Sequence, residues 1–179
     1  MGLIVAPDGL EVQAQMAELL TAGFGDWGSW QDPAAARAEV ELVLGRGFAR
    51  VDLDGTRVLG WVGGLPEYHG RVWELHPLVV RAEARGRGIG RALVAAFEDE
   101  ARARGGLTAT LGTDDVDAMT SLGGVDLYDD VPGRIAAVRN LRRHPYEFYV
   151  KCGYTITGVL PDANGPGKPD LYLSKRLAR

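Results

Sequence analysis

The run Arg85-Gly86-Arg87-Gly88-Ile89-Gly90-Arg91 gathers the residue types that hold an anion. Glycines let a phosphate approach the backbone, and arginines add charge. The run lies between a strand expected to end near Val80 and a helix expected to begin near Gly88. The first amides of a helix have no acceptor within it, and the helix dipole adds partial positive charge there. Two familiar phosphate motifs do not fit. The spacing of Gly86, Gly88 and Gly90 is not Gly-x-Gly-x-x-Gly, and no Gly-Lys-Ser/Thr follows. A plain glycine-rich turn from strand to helix remains the alternative reading.

A second run has the opposite sign. Six aspartates and no lysine or arginine fall between Asp114 and Asp130, whereas four arginines fall between Arg81 and Arg91. A cation site and a phosphate site is one reading of this pair, and two solvated surfaces is the other. Metal chemistry has little support. Cys152 is the single cysteine, so a cysteine cluster and an internal disulfide are excluded, and His69, His76 and His144 lack metal-ligand spacing.

These runs must be carried by regular elements. Val12, Met16, Leu19 and Leu20 recur at helical spacing, so a helix is expected from about Leu10 to Ala22. Asp32-Pro33 reads as a cap and a first-turn proline, opening a helix to about Leu44. Asp54-Gly55 between Phe48–Leu53 and Arg57–Val62 signals a hairpin, and Trp73 to Val80 reads as a further strand. Ile89, Leu93 and Phe97 mark a helix that Gly105-Gly106 ends. Leu107, Ala109 and Leu111 alternate as in a strand. Pro132 to Arg143 is expected to be helical, and Pro145 opens a short helix ending before Gly153. Tyr154–Leu160 and Leu171–Leu177 read as the last two strands. The order implies a single α/β domain, residues 1–179, on one central sheet.

Composition agrees with one soluble globular domain: 179 residues, 46% hydrophobic and 25% charged. The net charge of −4 disfavours nucleic acid as a partner. No apolar stretch approaches the roughly 18 residues of a membrane span. Met1 to Leu10 lacks a basic stretch followed by a long apolar run, so no signal peptide and a cytoplasmic location are expected.

The glycine run also resembles a known signature. Arg85, Gly88 and Gly90 fit the Arg/Gln-x-x-Gly-x-Gly/Ala motif of the GNAT superfamily of N-acetyltransferases, and Phe148-Tyr149-Val150-Lys151-Cys152-Gly153-Tyr154 fits its closing Tyr and Gly-aromatic pattern. Longer words resemble one group within it, the aminoglycoside 6′-N-acetyltransferases: Trp73-Glu74-Leu75-His76-Pro77-Leu78-Val79-Val80, Leu111-Gly112-Thr113-Asp114-Asp115, His144-Pro145-Tyr146-Glu147-Phe148-Tyr149 and Asp162-Ala163-Asn164-Gly165 with Lys168-Pro169-Asp170. The resemblance runs from about Trp73 to Leu177, and the N-terminal third follows only in outline.

The resemblance implies a mixed, mostly antiparallel twisted sheet, splayed in the middle and flanked by helices. It implies acetyl-CoA as cosubstrate with no metal, an aminoglycoside 6′-amine as acceptor, and a homodimer. The backbones of Leu78, Val79 and Val80 would pair with pantetheine as an added strand does. The Leu78 amide would polarise the thioester carbonyl. Arg85, Gly86, Arg87, Gly88, Ile89, Gly90 and Arg91 would hold the pyrophosphate. Glu74 would accept the amine's proton and Tyr149 would protonate the departing thiolate. His76, two residues from Glu74, is expected on the same face, as an acceptor contact, a relay or a structural histidine. Asp114 and Asp115 are the first candidates to attract a polycationic substrate. Asp117, Asp126, Asp129, Asp130 and Asp170 are weaker ones. Trp27 and Trp30 could pack on sugar rings or in the core.

Two other functions stay open at this point. The same chemistry could serve a polyamine or a protein lysine, whose cations also suit an acidic run. A coenzyme A-binding module without turnover is the other, and the presence of both Glu74 and Tyr149 argues against it.

Overall fold

The apolar spacing of the first forty residues builds two helices that cover one face of a sheet. In the computed structural model, which describes residues 3–24 and 28–179, the contacts sort the chain into two compact units. One runs to Ala109 and includes Leu177–Arg179, and the other is Thr110–Arg176.

The first unit contains β1 (Leu3–Val5), α1 (Leu10–Phe24), α2 (Pro33–Arg46), β2 (Phe48–Asp54), β3 (Arg57–Glu67), β4 (Val72–Val80) and α3 (Ile89–Ala103). Its strands pair antiparallel in the order β1-β2-β3-β4. Strand β1 has too few residues to show a period and was not expected from the sequence. The Asp32 side chain accepts from the Ala34 amide at 3.0 Å and caps α2, with Pro33 opening its first turn. Helices α1 and α2 bury Met16, Leu19, Leu20, Ala36, Val40 and Val43 against Val51, Trp61, Leu65 and Val79 of the sheet. The Trp61 indole donates to the Met16 carbonyl at 3.0 Å, which satisfies its polar atom inside the core. On the opposite face, α3 brings Phe97 into a stack with Phe48 at 5.7 Å. Strand β3 is therefore buried continuously from Val58 to Leu65, with no alternation of polar and apolar positions.

Strand β4 carries one extra residue. Its register with β3 runs Gly60↔Val80, Trp61↔Val79 and Val62↔Leu78, then resumes at Gly64↔Leu75 and Leu65↔Glu74. Two steps on β3 oppose three on β4, so a bulge sits at His76-Pro77. A one-residue insertion exchanges the two faces of a strand. Glu74, the partner of Leu65, thus lies on the face of α1 and α2 together with Val79, whereas Leu78, the partner of Val62, lies on the other.

The second unit contains the end of β5 (Thr108–Asp114), α4 (Val131–Ala136), α5 (Tyr146–Lys151), β6 (Thr155–Leu160) and β7 (Asp170–Arg176). The strand order is β5-β7-β6, and β6 and β7 form an antiparallel hairpin. Leu111, Leu122, Leu127, Leu171 and Leu173 are buried. The helix expected over Pro132 to Arg143 stops at Ala136. Beyond it the chain pairs with a loop instead: Ser121 donates to the Arg139 carbonyl at 3.0 Å, Leu141 donates to the Met119 carbonyl at 2.8 Å, and Thr120 bridges Asn140. Tertiary pairing here outweighs a weak helical preference. Among the described residues, no helix is long and apolar enough to cross a membrane.

The bulge leaves no space for a side chain at Gly63. A Cβ there would lie 2.3 Å from the His76 carbonyl oxygen and 2.7 Å from a Val43 methyl. Gly63→Ala is expected to lower the free energy of unfolding by about 1–3 kcal/mol, read from the urea midpoint at constant slope. An unchanged midpoint would mean that the approach of β3 to the bulge relaxes without cost.

Candidate functional site

Glu74 is half-buried on β4 and has no hydrogen-bond or ion-pair partner among the described residues. His76 is on the same face, as its spacing predicts, with 36% of its side chain exposed. Its Nε2 lies 3.3 Å from Oε1 of Glu39, a residue of α2 that carries no sequence signal of function. The other oxygen of Glu39 accepts from the Trp30 indole at 3.3 Å. Trp30 packs edge-on against Phe24 at 5.1 Å and against the His76 ring at 5.6 Å. Trp30 is thus part of the wall behind His76. Trp27 lies outside the described residues.

The backbone beyond the bulge has a definite polarity. The Arg81 amide donates to the Leu59 carbonyl on β3 at 2.8 Å. Amides alternate in direction along a strand, so Val79 also faces β3 while Leu78 and Val80 point their backbone groups away from it. The Val80 carbonyl accepts from the Arg85 guanidinium at 3.0 Å, consistent with that direction. A cavity of about 110 Å³ opens beside this end of the strand, lined by Leu19, Gly23, Val79, Val80, Arg81 and Arg85.

The glycine run continues from there. Gly86 and Gly88 have φ of 76° and 86°, the left-handed region where a side chain is strained. Gly88 is the N-cap of α3 and supplies no side-chain acceptor to the first amides. Arg85, Arg87 and Arg91 are exposed. Ile89 points into the core and Gly90 follows it in the first turn, so these two contribute through their backbones. Together the run presents unfilled amides, bare backbone and three cations, which suits a phosphate group.

In the second unit the two leading aspartates differ sharply. Asp114 is exposed, and one oxygen accepts from the Asn164 side chain at 2.6 Å. Asp115 is fully buried. Its carboxylate accepts from the Met119 amide at 2.6 Å, the Thr120 amide at 2.9 Å and the Thr120 hydroxyl at 2.7 Å. The substrate contact expected of Asp115 is therefore corrected: its charge is spent on holding its own loop. Asp126 and Asp130 accept from the Tyr128 and Gly133 amides and serve local turns and caps. The Asp170 carboxylate sits against Gly112, where a Cβ would come within 2.6 Å of it.

His144 carries no sequence signal that assigns it a role. It is buried, and its Nδ1 accepts from the Tyr146 amide at 3.2 Å, which leaves Nε2 to donate to the Asp114 carbonyl at 3.0 Å. Asn140 clasps the backbone of His144 from both sides, at 2.7 and 2.9 Å. One neutral imidazole thus ties the end of β5 to the start of α5. Tyr149 follows on α5, its ring edge-on to Phe148 at 5.0 Å and to Tyr154 at 6.1 Å. Burial pushes its phenol well above the ordinary tyrosine range, and Cys152 adds in the same direction. Lys151 is exposed and pairs loosely with Glu147 at 4.0 Å.

Comparison with known proteins gives this arrangement a setting. The model of the acetyltransferase (GNAT) family matches residues 14–122. A crystal structure of an aminoglycoside 6′-N-acetyltransferase complexed with coenzyme A is 39% identical, with a TM-score of 0.92 over 99% of this chain and 98% of that one. The aminoglycoside 6′-N-acetyltransferase from Enterococcus faecium is also 39% identical, with a TM-score of 0.91 over the same shares. An aminoglycoside 6′-acetyltransferase of type Ii is 34% identical, with a TM-score of 0.77 over 99% and 98%. No curated protein sequence matches the chain. The α/β class expected from the sequence, a mixed and mostly antiparallel sheet with flanking helices, is the fold of the chain.

The contrast between the paired aspartates is measurable. Asp115→Ala removes three hydrogen bonds to a buried carboxylate and is expected to cost about 2–4 kcal/mol of stability. Asp114→Ala is expected to cost no more than about 1 kcal/mol, since its partner is exposed. Equal losses in urea denaturation would contradict this division.

Proposed function

The chain belongs to the GNAT family of acetyltransferases, and from that premise we propose that it transfers acetyl from acetyl-CoA to the 6′-amine of an aminoglycoside. The observation that carries the acceptor is the identity of 34–39%, over nearly the whole chain, to three structures of aminoglycoside 6′-acetyltransferases. A homodimer and the named residue roles belong to the same proposal.

The residues fit the coenzyme at two points. Gly86 and Gly88 bare the backbone at the start of α3, where the amides and Arg85, Arg87 and Arg91 would hold the diphosphate. Leu78 and Val80 turn their backbone groups away from β3, so they would pair with the amides of pantetheine. Bound acetyl-CoA supplies an activated thioester. The Leu78 N–H is assigned to its carbonyl oxygen, where negative charge develops during attack.

The acceptor must lose a proton to attack, because an aliphatic ammonium has no lone pair. Glu74, half-buried and without a partner among the described residues, is assigned that proton, directly or through water. Tyr149 holds a proton at its phenolic oxygen for the departing sulfur. Its raised pKa keeps that proton in place across neutral and alkaline pH. The exposed carboxylate of Asp114 is assigned to a second ammonium of the substrate, with Asp170 as a further contributor.

The direct test is thiol release from acetyl-CoA with kanamycin, followed by mass spectrometry. A product heavier by one acetyl at the 6′-amine is expected. Turnover only with spermidine or a lysine peptide would overturn the acceptor, and binding of acetyl-CoA with no turnover on any amine would overturn the enzyme. Tyr149→Phe is expected to lower kcat by about 10–100-fold while leaving the Kd of acetyl-CoA unchanged. A wild-type kcat in that variant would remove Tyr149 from the reaction.

A further inference from the structure

We infer that Glu39 is a positioning residue that makes His76 a second proton acceptor beside Glu74. The inference rests on the acetyl transfer proposed above. It starts from a geometry that the sequence does not display: a carboxylate in the middle of α2 whose two oxygens meet an imidazole and an indole, each at 3.3 Å.

The contact decides which nitrogen of His76 carries the proton. Nε2 and Oε1 lie at ion-pair distance without the alignment of a hydrogen bond, and an ionised carboxylate offers only lone pairs, so the proton of a neutral ring is favoured on Nε2, facing that charge. A neutral imidazole then has its lone pair on Nδ1, which has no hydrogen-bond partner among the described residues. Trp30 limits the freedom of this pair. Its indole N–H holds the second oxygen of Glu39 while its ring packs on the imidazole at 5.6 Å. The carboxylate is 18% exposed and the imidazole 36%, so the charge is shielded on the Glu39 side and open on the other.

The position of His76 gives this a use. It shares a face of β4 with Glu74, two residues away. Among the described residues, the charged groups that face it are Glu39 from α2 and Glu74 from its own strand, and Trp30 and the facing positions of β3 bear no charge. A substrate ammonium that yields its proton to Nδ1 becomes a neutral amine with a free lone pair. The imidazolium formed is stabilised at Nε2 by Glu39 and returns the proton to water through its exposed side. Glu39 does not touch the reacting atoms. It acts by fixing the tautomer and by favouring the charged ring.

The experiment compares wild type, Glu39→Gln and Glu39→Asp, using long-range ¹H–¹⁵N spectra of the His76 ring across pH together with steady-state kinetics on acetyl-CoA and kanamycin. Thermal unfolding confirms that each variant is folded. Wild type is expected to show the Nε2–H tautomer. Glu39→Gln, which keeps an acceptor for Trp30 but removes the charge, is expected to raise the share of the Nδ1–H tautomer of His76 and to lower kcat about tenfold. The KM for acetyl-CoA should not change, and Glu39→Asp should recover part of both effects. An unchanged tautomer in Glu39→Gln overturns the pairing. A changed tautomer with wild-type kcat overturns its part in the reaction. If wild type fails to acetylate kanamycin, the acceptor proposal falls, and the spectra with whichever amine turns over still decide the role of Glu39.

Discussion

One inserted residue in β4 is the constraint on which the rest of this chemistry depends. In a regular strand Glu74, His76 and Leu78 would share one face. The insertion opposite Gly63 breaks that alternation, so the carboxylate and imidazole stay on the side of α1 and α2 while Leu78 moves to the other. The same step leaves Leu78 and Val80 with backbone groups turned away from β3, the side on which the proposed pairing with pantetheine would fall. Bulges re-aim side chains at the cost of a ladder bond. Here the strand is anchored on both sides of the bulge by buried partners, Trp73 and Leu75 before it and Val79 after it. Gly63 completes the device, because any Cβ there would strike the His76 carbonyl.

The second unit solves a different problem. Residues 115–130 include no helix or strand, yet Asp115 and Thr120 are buried within them. Such a segment survives only if its polar groups find partners. Asp115 supplies them for Met119 and Thr120, and Asn140 and His144 do so between the end of β5 and α5. The neighbouring carboxylate of Asp114 stays exposed because the chain uses its carbonyl, rather than its side chain, to accept from His144. Identical residues one position apart thus do opposite work: one fixes the loop and the other faces solvent.

The charge of the molecule is distributed rather than large. The arginine run belongs to one unit and the aspartate run to the other, and the net charge of −4 conceals both. The arginines are not all equally free. Arg81 and Arg85 each donate to a backbone carbonyl, of Val58 and Val80, at 3.1 and 3.0 Å. Those bonds hold the guanidinium groups beside the loop, and the amides at the start of α3 provide direction that exposed arginines alone cannot.

By itself the sequence determined the helices with clear periodicity, the hairpin at Asp54-Gly55, the glycine run and the strand bearing Glu74. Each depends on residues close together in the chain, where caps, turns and spacing are decided. The shared face of Glu74 and His76 was legible for the same reason, since they are two residues apart on one side of the bulge. What only the tertiary structure decided depends on partners far along the chain. The helix expected to reach Arg143 ends at Ala136 because residues 139–142 bond to the loop around Met119. Asp115 is a clamp and Asp114 is open, although composition makes them equal. Glu39 meets His76 across 37 positions, and nothing in α2 marks it out. Local pattern fixes which faces a segment can offer, but burial and the free energy of pairing charged groups are set by whichever residues the fold brings opposite them.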